Sequence, residues 1–326
     1  MYLKDLKFSL WADFIERDYL DGEFKELVGQ GIANGATSNP AIFKNAILTS
    51  DAYKEQLLSL NHLAAKQKYE ALAIYDIQKA ADVLKPLYDA GDDGYVSIEI
   101  DPMLCDDAKA SIQEGERLYS EIDRENVMIK VPATTAGYEV MEALISKGIA
   151  INATLVFKKS QALACMDAFE RGLKNCEKKV DSVISIFVSR IDRALDDKLQ
   201  DCGIERSLCG IYNSADIYSE IIKRDLDGCR ALFASTGVKD DSLPTYYYID
   251  NLLAYNTVNT APVDTIKSFN ADGKKQKALP IESGVIEAHF KKISDASIDF
   301  EEVLDKQIAD GLEAFKVAFR EILESI

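Results

Sequence analysis

The sequence predicts an α/β protein that closes into a (β/α)8 barrel of the TIM type. Three observations lead there. Eight short β-prone runs punctuate the chain, helical patterns separate them, and polar residues collect where the runs end. Strands alternating with helices imply a parallel sheet with helices outside, and eight such units are enough to close it. No Gly-x-Gly-x-x-Gly follows the first run, which argues against an open dinucleotide-binding sheet.

The runs cover residues 8–14, 32–37, 95–100, 127–131, 149–157, 183–188, 231–235 and 257–260. Helical patterns fill 106–121, 138–147, 160–175 and 214–224. The fourth run, Val127-Met128-Ile129-Lys130-Val131, is short and is stopped by Pro132, as a buried parallel strand would be. Residues 41–94, between the second and third runs, are helical and charged, with helices over 53–60 and 64–84. They read as a helical insertion decorating the barrel. At the far end Phe300, Leu304, Ile308, Leu312, Phe315, Phe319 and Leu323 recur at helical spacing, so residues 300–322 form an amphipathic C-terminal helix. It is expected to pack across the barrel's outer helices; a homodimer face is the second reading. No repeat, low-complexity tract or Pro/Ser-rich linker divides the chain, so residues 1–326 are expected to form a single domain.

Composition narrows the function. A formal net charge of −17 argues against nucleic acid or an anionic membrane as the main partner. It leaves room for a phosphorylated small substrate held by a few cations inside the site. No apolar stretch approaches the ~20 residues that span a bilayer, and the first residues show no signal-peptide pattern; the expectation is a cytoplasmic protein. The cysteines at 105, 165, 176, 202, 209 and 229 include no Cys-x-x-Cys pair, and His62 and His289 are far apart. Reduced cysteines and no metal site are expected.

Lys130 is out of place in its strand. Lysine is almost never fully buried without a reason. Desolvation disfavours an ammonium, and a neutral, held amine attacks carbonyls to form a Schiff base. A lysine at a strand end, or one reaching water along its stem, is the plain alternative. In a barrel of this kind the site lies at the C-terminal ends of the strands. Asp13 ends the first strand, and Thr37-Ser38-Asn39-Pro40 follow the second. Ser97, Glu99 and Asp101 lie on the third, Asn152 and Thr154 on the fifth, Ser185 and Phe187 on the sixth with Arg190 after them. Ser235 ends the seventh, with Lys239 in the loop beyond. Residues two apart share a strand face, so each of these sets can point into the lumen beside Lys130.

Each residue type suits a step of Schiff-base chemistry. Making and dehydrating a carbinolamine needs proton transfers, for which Glu99, with Thr154 to hold a water, is suited. Carbon–carbon cleavage needs a base, and Asp13 is the other lumen carboxylate. Asn39 and Asn152 can bind sugar hydroxyls. Arg190, with Ser235 and Lys239, can hold a phosphate. Plainer readings stand beside these: Asn39 as a helix-start cap, Arg190 with Asp192 and Arg193 as a surface salt-bridge cluster, Glu99 as a strand-end carboxylate, Thr154 and Ser185 as core-edge hydroxyls.

Several segments resemble the transaldolase family. Gly35-Ala36-Thr37-Ser38-Asn39-Pro40-Ala41-Ile42-Phe43 is similar to its signature around the second strand, and Val127-Met128-Ile129-Lys130-Val131-Pro132-Ala133-Thr134 to its active-site lysine segment. Val96-Ser97-Ile98-Glu99, Ile151-Asn152-Ala153-Thr154-Leu155, Ser185-Ile186-Phe187-Val188-Ser189-Arg190 and Thr257-Val258-Asn259-Thr260 match as well. The resemblance spans about residues 8 to 265 and implies a (β/α)8 barrel. It implies transfer of a dihydroxyacetone unit from sedoheptulose 7-phosphate to glyceraldehyde 3-phosphate, giving erythrose 4-phosphate and fructose 6-phosphate, in the non-oxidative pentose phosphate pathway. It further implies Lys130 as the Schiff-base residue, Glu99 with Thr154 as proton relay, Asp13 as cleavage base, Asn39 and Asn152 on hydroxyls, and Arg190 and Ser235 on phosphate, without metal or organic cofactor. The loop Ser235-Thr236-Gly237-Val238-Lys239 lacks the arginine that some relatives place after the serine, and Lys239 is the candidate substitute. A fructose 6-phosphate aldolase using the same lysine is the alternative; a non-catalytic sugar-phosphate binder is a more distant one.

Overall fold

The computed structural model describes residues 1–326. Its eight strands pair in chain order, all parallel, and the eighth returns to the first, so the expected barrel is closed. The first units are β1 (Ser9–Ala12), α1 (Arg17–Asp21), α2 (Glu23–Gly29), β2 (Gly35–Thr37), α3 (Pro40–Thr49), α4 (Lys54–Ser59) and α5 (Ala65–Asp89). They are followed by β3 (Tyr95–Glu99), α6 (Ala108–Ile122), β4 (Val127–Pro132), α7 (Thr135–Ser146), β5 (Ala150–Val156) and α8 (Lys159–Lys174). The remainder is β6 (Ser182–Phe187), α9 (Ser189–Asp201), α10 (Cys209–Arg224), β7 (Cys229–Ala234), α11 (Tyr247–Leu252), β8 (Thr257–Ala261), α12 (Val263–Asp272), α13 (Ser283–Asp295) and α14 (Phe300–Ser325).

Helices outside and packed side chains inside bury almost every strand residue, and that two-sided burial is why the runs read as continuously apolar. One apolar cluster runs from Phe8, just before β1, to Ile322 on α14. The second strand is shorter than its run: it starts at Gly35, because residues 32–34 are spent in the turn leaving α2, where Gly31 has φ 71°. Conversely, the helix expected over 64–84 continues to Asp89. Pro86 sits inside it three residues from the end, so one intrahelical hydrogen bond is missing from its last turns.

Two features position the rest. At the N-terminal end, Arg230 grips Asp93 with both guanidinium arms, at 2.8 and 3.2 Å, and Trp11 Nε1 donates to the same carboxylate at 2.8 Å. Gly35 makes room for the indole: a Cβ there would lie 2.5 Å from Trp11 Nε1. Burial alone would raise the Asp93 carboxyl, but the Arg230 charge and hydrogen bonds hold it below its ordinary value. At the other end lies α14. It packs on α3 and α5 on one side and on α9 and β5 on the other, so it crosses the C-terminal mouth as well as the outer helices. That differs from the expected packing on the outer helices alone.

Removing one partner of a buried pair strands the other charge. Asp93→Ala is therefore expected to destabilise by ~3–5 kcal/mol at neutral pH, read from urea unfolding. Because the folded value is depressed, the Asp93 contribution is complete above the unfolded carboxylate value of ~3.9 and fades as pH falls below it. A loss that stays equally large at pH 3 would contradict this assignment.

Candidate active site

Lys130 is the fourth residue of β4, and the register sets it between Glu99 of β3 and Asn152 of β5. Only 5% of it is exposed. Its Nζ donates to the Ser38 carbonyl at 3.0 Å, lies 3.6 Å from Glu99 Oε2, and sits 5.7 Å from the Phe315 ring centre. The strand-end reading, with the amine in water, does not describe it.

Glu99 is the buried carboxyl beside that amine. Burial pushes its carboxyl up to about 7, while the Lys130 charge pulls the other way. Its Oε2 and the Thr154 hydroxyl are both buried and neither has a hydrogen-bond partner in the protein. Uncommitted polar groups beside an amine can pass a proton to and from a substrate. A shift in strand register between Ala153 and Val156 puts an extra residue into β5, and Leu155 takes φ 57° there. Such a bulge commonly re-aims a side chain next to an active site, and Thr154 lines the cavity.

The mouth cavity holds about 100 Å³. Asp13, Asn39, Lys130, Thr154, Ser185, Phe187, Arg190 and Ser235 line it together with Thr37, Ala234, Thr260 and Phe315. Asp13 Oδ1 accepts from Thr37 Oγ1 at 2.7 Å, and Thr37 Oγ1 is 2.7 Å from Thr260 Oγ1, so a hydroxyl chain orients the carboxylate. Asn39 is a helix cap as well as a lining residue: its Oδ1 accepts from Ile42 N at 3.0 Å at the start of α3. Asn152 lies deeper, fully buried, donating to Ser97 Oγ at 3.0 Å and accepting from Ser185 Oγ at 2.6 Å. It forms a floor below the cavity rather than part of its lining.

Arg190 lies in the first turn of α9 and stacks over the Phe187 ring at 5.1 Å. Burial and the neighbouring Arg193 charge lower its guanidinium from the ordinary value. Every other arginine except Arg193 has an acidic ion-pair partner. The salt-bridge cluster read around Arg190 does not form, because the buried Asp192 accepts from Gly210 N at 2.8 Å and Tyr248 OH at 2.9 Å instead. Ser235, at φ 54°, places its hydroxyl 3.2 Å from Ser189 Oγ in the first turn of α9. An anion here would meet a free guanidinium, two hydroxyls and a helix N-terminus.

Two expectations end up elsewhere. Lys239 lines a separate cleft with Ser189, Arg193 and Arg206. Asp101 points away from the lumen to Lys66 Nζ at 2.6 Å, since β3 ends at Glu99 and the alternation stops there. The strand ends of Thr37 and Thr260 were visible in the sequence, but not their contact with Asp13. Phe315 carried no signal beyond its helical stripe.

The family description "Transaldolase/Fructose-6-phosphate aldolase" matches residues 10–326. The chain belongs to that family. It is 48% identical over 330 residues to a transaldolase of Campylobacter jejuni subsp. jejuni (strain 81-176), covering 98% of this chain and 99% of the relative. It is 41% identical over 326 residues to a transaldolase of Helicobacter pylori (strain Shi470), with the same coverage. No three His, Cys, Asp or Glu side chains are grouped to hold a metal ion, and no helix is long and apolar enough to cross a membrane.

Glu99 can donate a proton below about 7 and is a carboxylate above it. As an acid it is expected to give kcat/KM a limb that falls as pH rises past that value. Glu99→Gln should abolish the limb and lower kcat by roughly 10²–10⁴-fold. An unchanged profile in that variant would remove Glu99 from the chemistry.

Proposed function

We propose that this enzyme transfers a dihydroxyacetone unit from sedoheptulose 7-phosphate to glyceraldehyde 3-phosphate through a Schiff base on Lys130. The observation that carries the reading is a lysine amine buried in a closed barrel, 3.6 Å from a carboxyl that titrates near neutrality. Full-length similarity to transaldolases of two genera supports the same reaction. The substrates are sugar phosphates, and the step belongs to the non-oxidative pentose phosphate pathway.

The ketose carbonyl meets Lys130 Nζ, and the nitrogen lone pair forms the C–N bond. Glu99, with Thr154, delivers a proton to the oxygen so that water leaves and the imine forms. Asp13 takes the proton of the hydroxyl on the carbon beyond the bond to be broken. The O–H pair left on that oxygen forms the second bond of the aldehyde carbonyl, the C–C pair becomes the C=C bond of an enamine, and the iminium π pair returns to nitrogen. The aldose leaves and a second aldehyde enters. The enamine attacks it, Asp13 returns the proton, and hydrolysis of the new imine frees the ketose and Lys130. Asn39 binds substrate hydroxyls, and Asn152 holds the floor through Ser97 and Ser185. Arg190 and Ser235 take the phosphate.

The family description also covers fructose-6-phosphate aldolase. An aldolase would release both fragments rapidly from fructose 6-phosphate alone, whereas a transferase waits for an acceptor. Lys130→Ala should keep the fold by circular dichroism and lose turnover; borohydride with fructose 6-phosphate should leave a mass adduct on wild-type Lys130 and none on the variant. Turnover in Lys130→Ala would end the Schiff-base reading. Arg190→Ala should raise KM for phosphorylated substrates far more than for dihydroxyacetone, and equal effects on both would take Arg190 out of the phosphate site.

A further inference from the structure

Phe315 is the one residue lining the mouth cavity that no barrel strand or strand-end segment supplies. It comes from α14, and its ring covers the Lys130 amine at 5.7 Å with only 5% of the residue exposed. The helix that brings it there is held across the mouth. It meets α3 and α9, which follow strands on opposite sides of the ring. Lys158 Nζ fastens its first turns through Glu301 at 3.0 Å and Asp305 at 2.7 Å, and Lys44 fastens its last through Glu321 at 2.7 Å. One turn before Phe315, Gly311 lets the helix axis come close: a Cβ there would lie 2.9 Å from Leu155 Cδ2 and 3.4 Å from Arg190 Nη1. Phe315 is thus set over the amine by contacts on every side.

The position matters for what an enamine can do. Its nucleophilic carbon has two fates. It can attack an aldehyde, forming a C–C bond. Or it can take a proton: the C=C pair forms a C–H bond and leaves an iminium. Water then adds to the iminium carbon, the nitrogen is protonated, and the C–N pair departs with Lys130 as dihydroxyacetone is released. No oxidant or reductant is needed. The second path needs water at the carbon, and an apolar ring held over the amine opposes it by taking the space a water would need.

We propose that Phe315 sets the partition of the Lys130 enamine, holding off protonation and water so that an aldehyde acceptor wins. The proposal rests on the Schiff-base reading above. It makes α14 a determinant of reaction type, although Phe315 has no polar group to contribute to a chemical step.

The test uses the full chain with fructose 6-phosphate as donor and erythrose 4-phosphate as acceptor, comparing wild type, Phe315→Leu and Phe315→Ala. Three quantities are read: transfer rate, dihydroxyacetone released without acceptor, and deuterium on that dihydroxyacetone in D2O. The variants are expected to raise the ratio of release to transfer by about tenfold or more, with deuterated product and an intact borohydride adduct on Lys130. A merely structural role would lower both rates together and leave the ratio alone. A ratio within about twofold of wild type in variants that still form the adduct would overturn the proposal. If Phe315→Ala does not fold, Phe315→Leu decides alone. Absence of an adduct in wild type would instead strike the Schiff-base reading itself.

Discussion

Everything at the mouth depends on one constraint: an amine and a carboxyl share a compartment that water reaches poorly. Lys130 is tolerated at the centre of β4 because Ser38 O accepts from it and Glu99 lies beside it. Glu99 titrates near neutrality because burial outweighs the help of that same lysine. A buried pair of this kind contributes little to stability and is costly to break, so its presence marks a site built for chemistry. The closed ring makes the compartment possible. An open sheet would leave an edge and a route for solvent, whereas here eight strands and α14 enclose the pair.

Much of this was legible in the chain itself. Strand order, closure, the insertion over 41–94 and the tail helix followed from alternating periodicities and one misplaced lysine. Side-chain alternation also gave the lumen for Glu99, Asn152, Thr154 and Ser185, because a two-residue period survives wherever a strand is regular. It failed where regularity ends. Asp101 lies past the last residue of β3 and turns to Lys66. Lys239 sits in a loop whose path no period describes, and it lines another cleft. The depth of Asn152 below the cavity has no counterpart in a two-residue period, since depth depends on barrel stagger. Phe315 was invisible for a different reason: an apolar residue in an apolar stripe looks the same whether it covers a core or a reactive group.

The unpaired arginines show how a strongly acidic protein can still receive an anion. Acidic side chains are abundant enough to occupy almost every guanidinium, yet Arg190 is kept clear of them. The nearest candidate, Asp192, is turned inward and committed to Gly210 N and Tyr248 OH. Burial and Arg193 disfavour the Arg190 charge as it stands, so a phosphate arriving there relieves a cost already present in the free protein. In the proposed reading, selectivity for phosphorylated sugars comes from where carboxylates are withheld as much as from where cations are placed.

The clasp formed by Trp11, Asp93 and Arg230 lies at the opposite end of the barrel from Lys130. Trp11 and Gly35 each stand two residues from a mouth-lining residue, Asp13 and Thr37, so the clasp holds the strands just behind the site. Redesign of the mouth for directed synthesis of unnatural ketoses therefore has to leave that clasp intact.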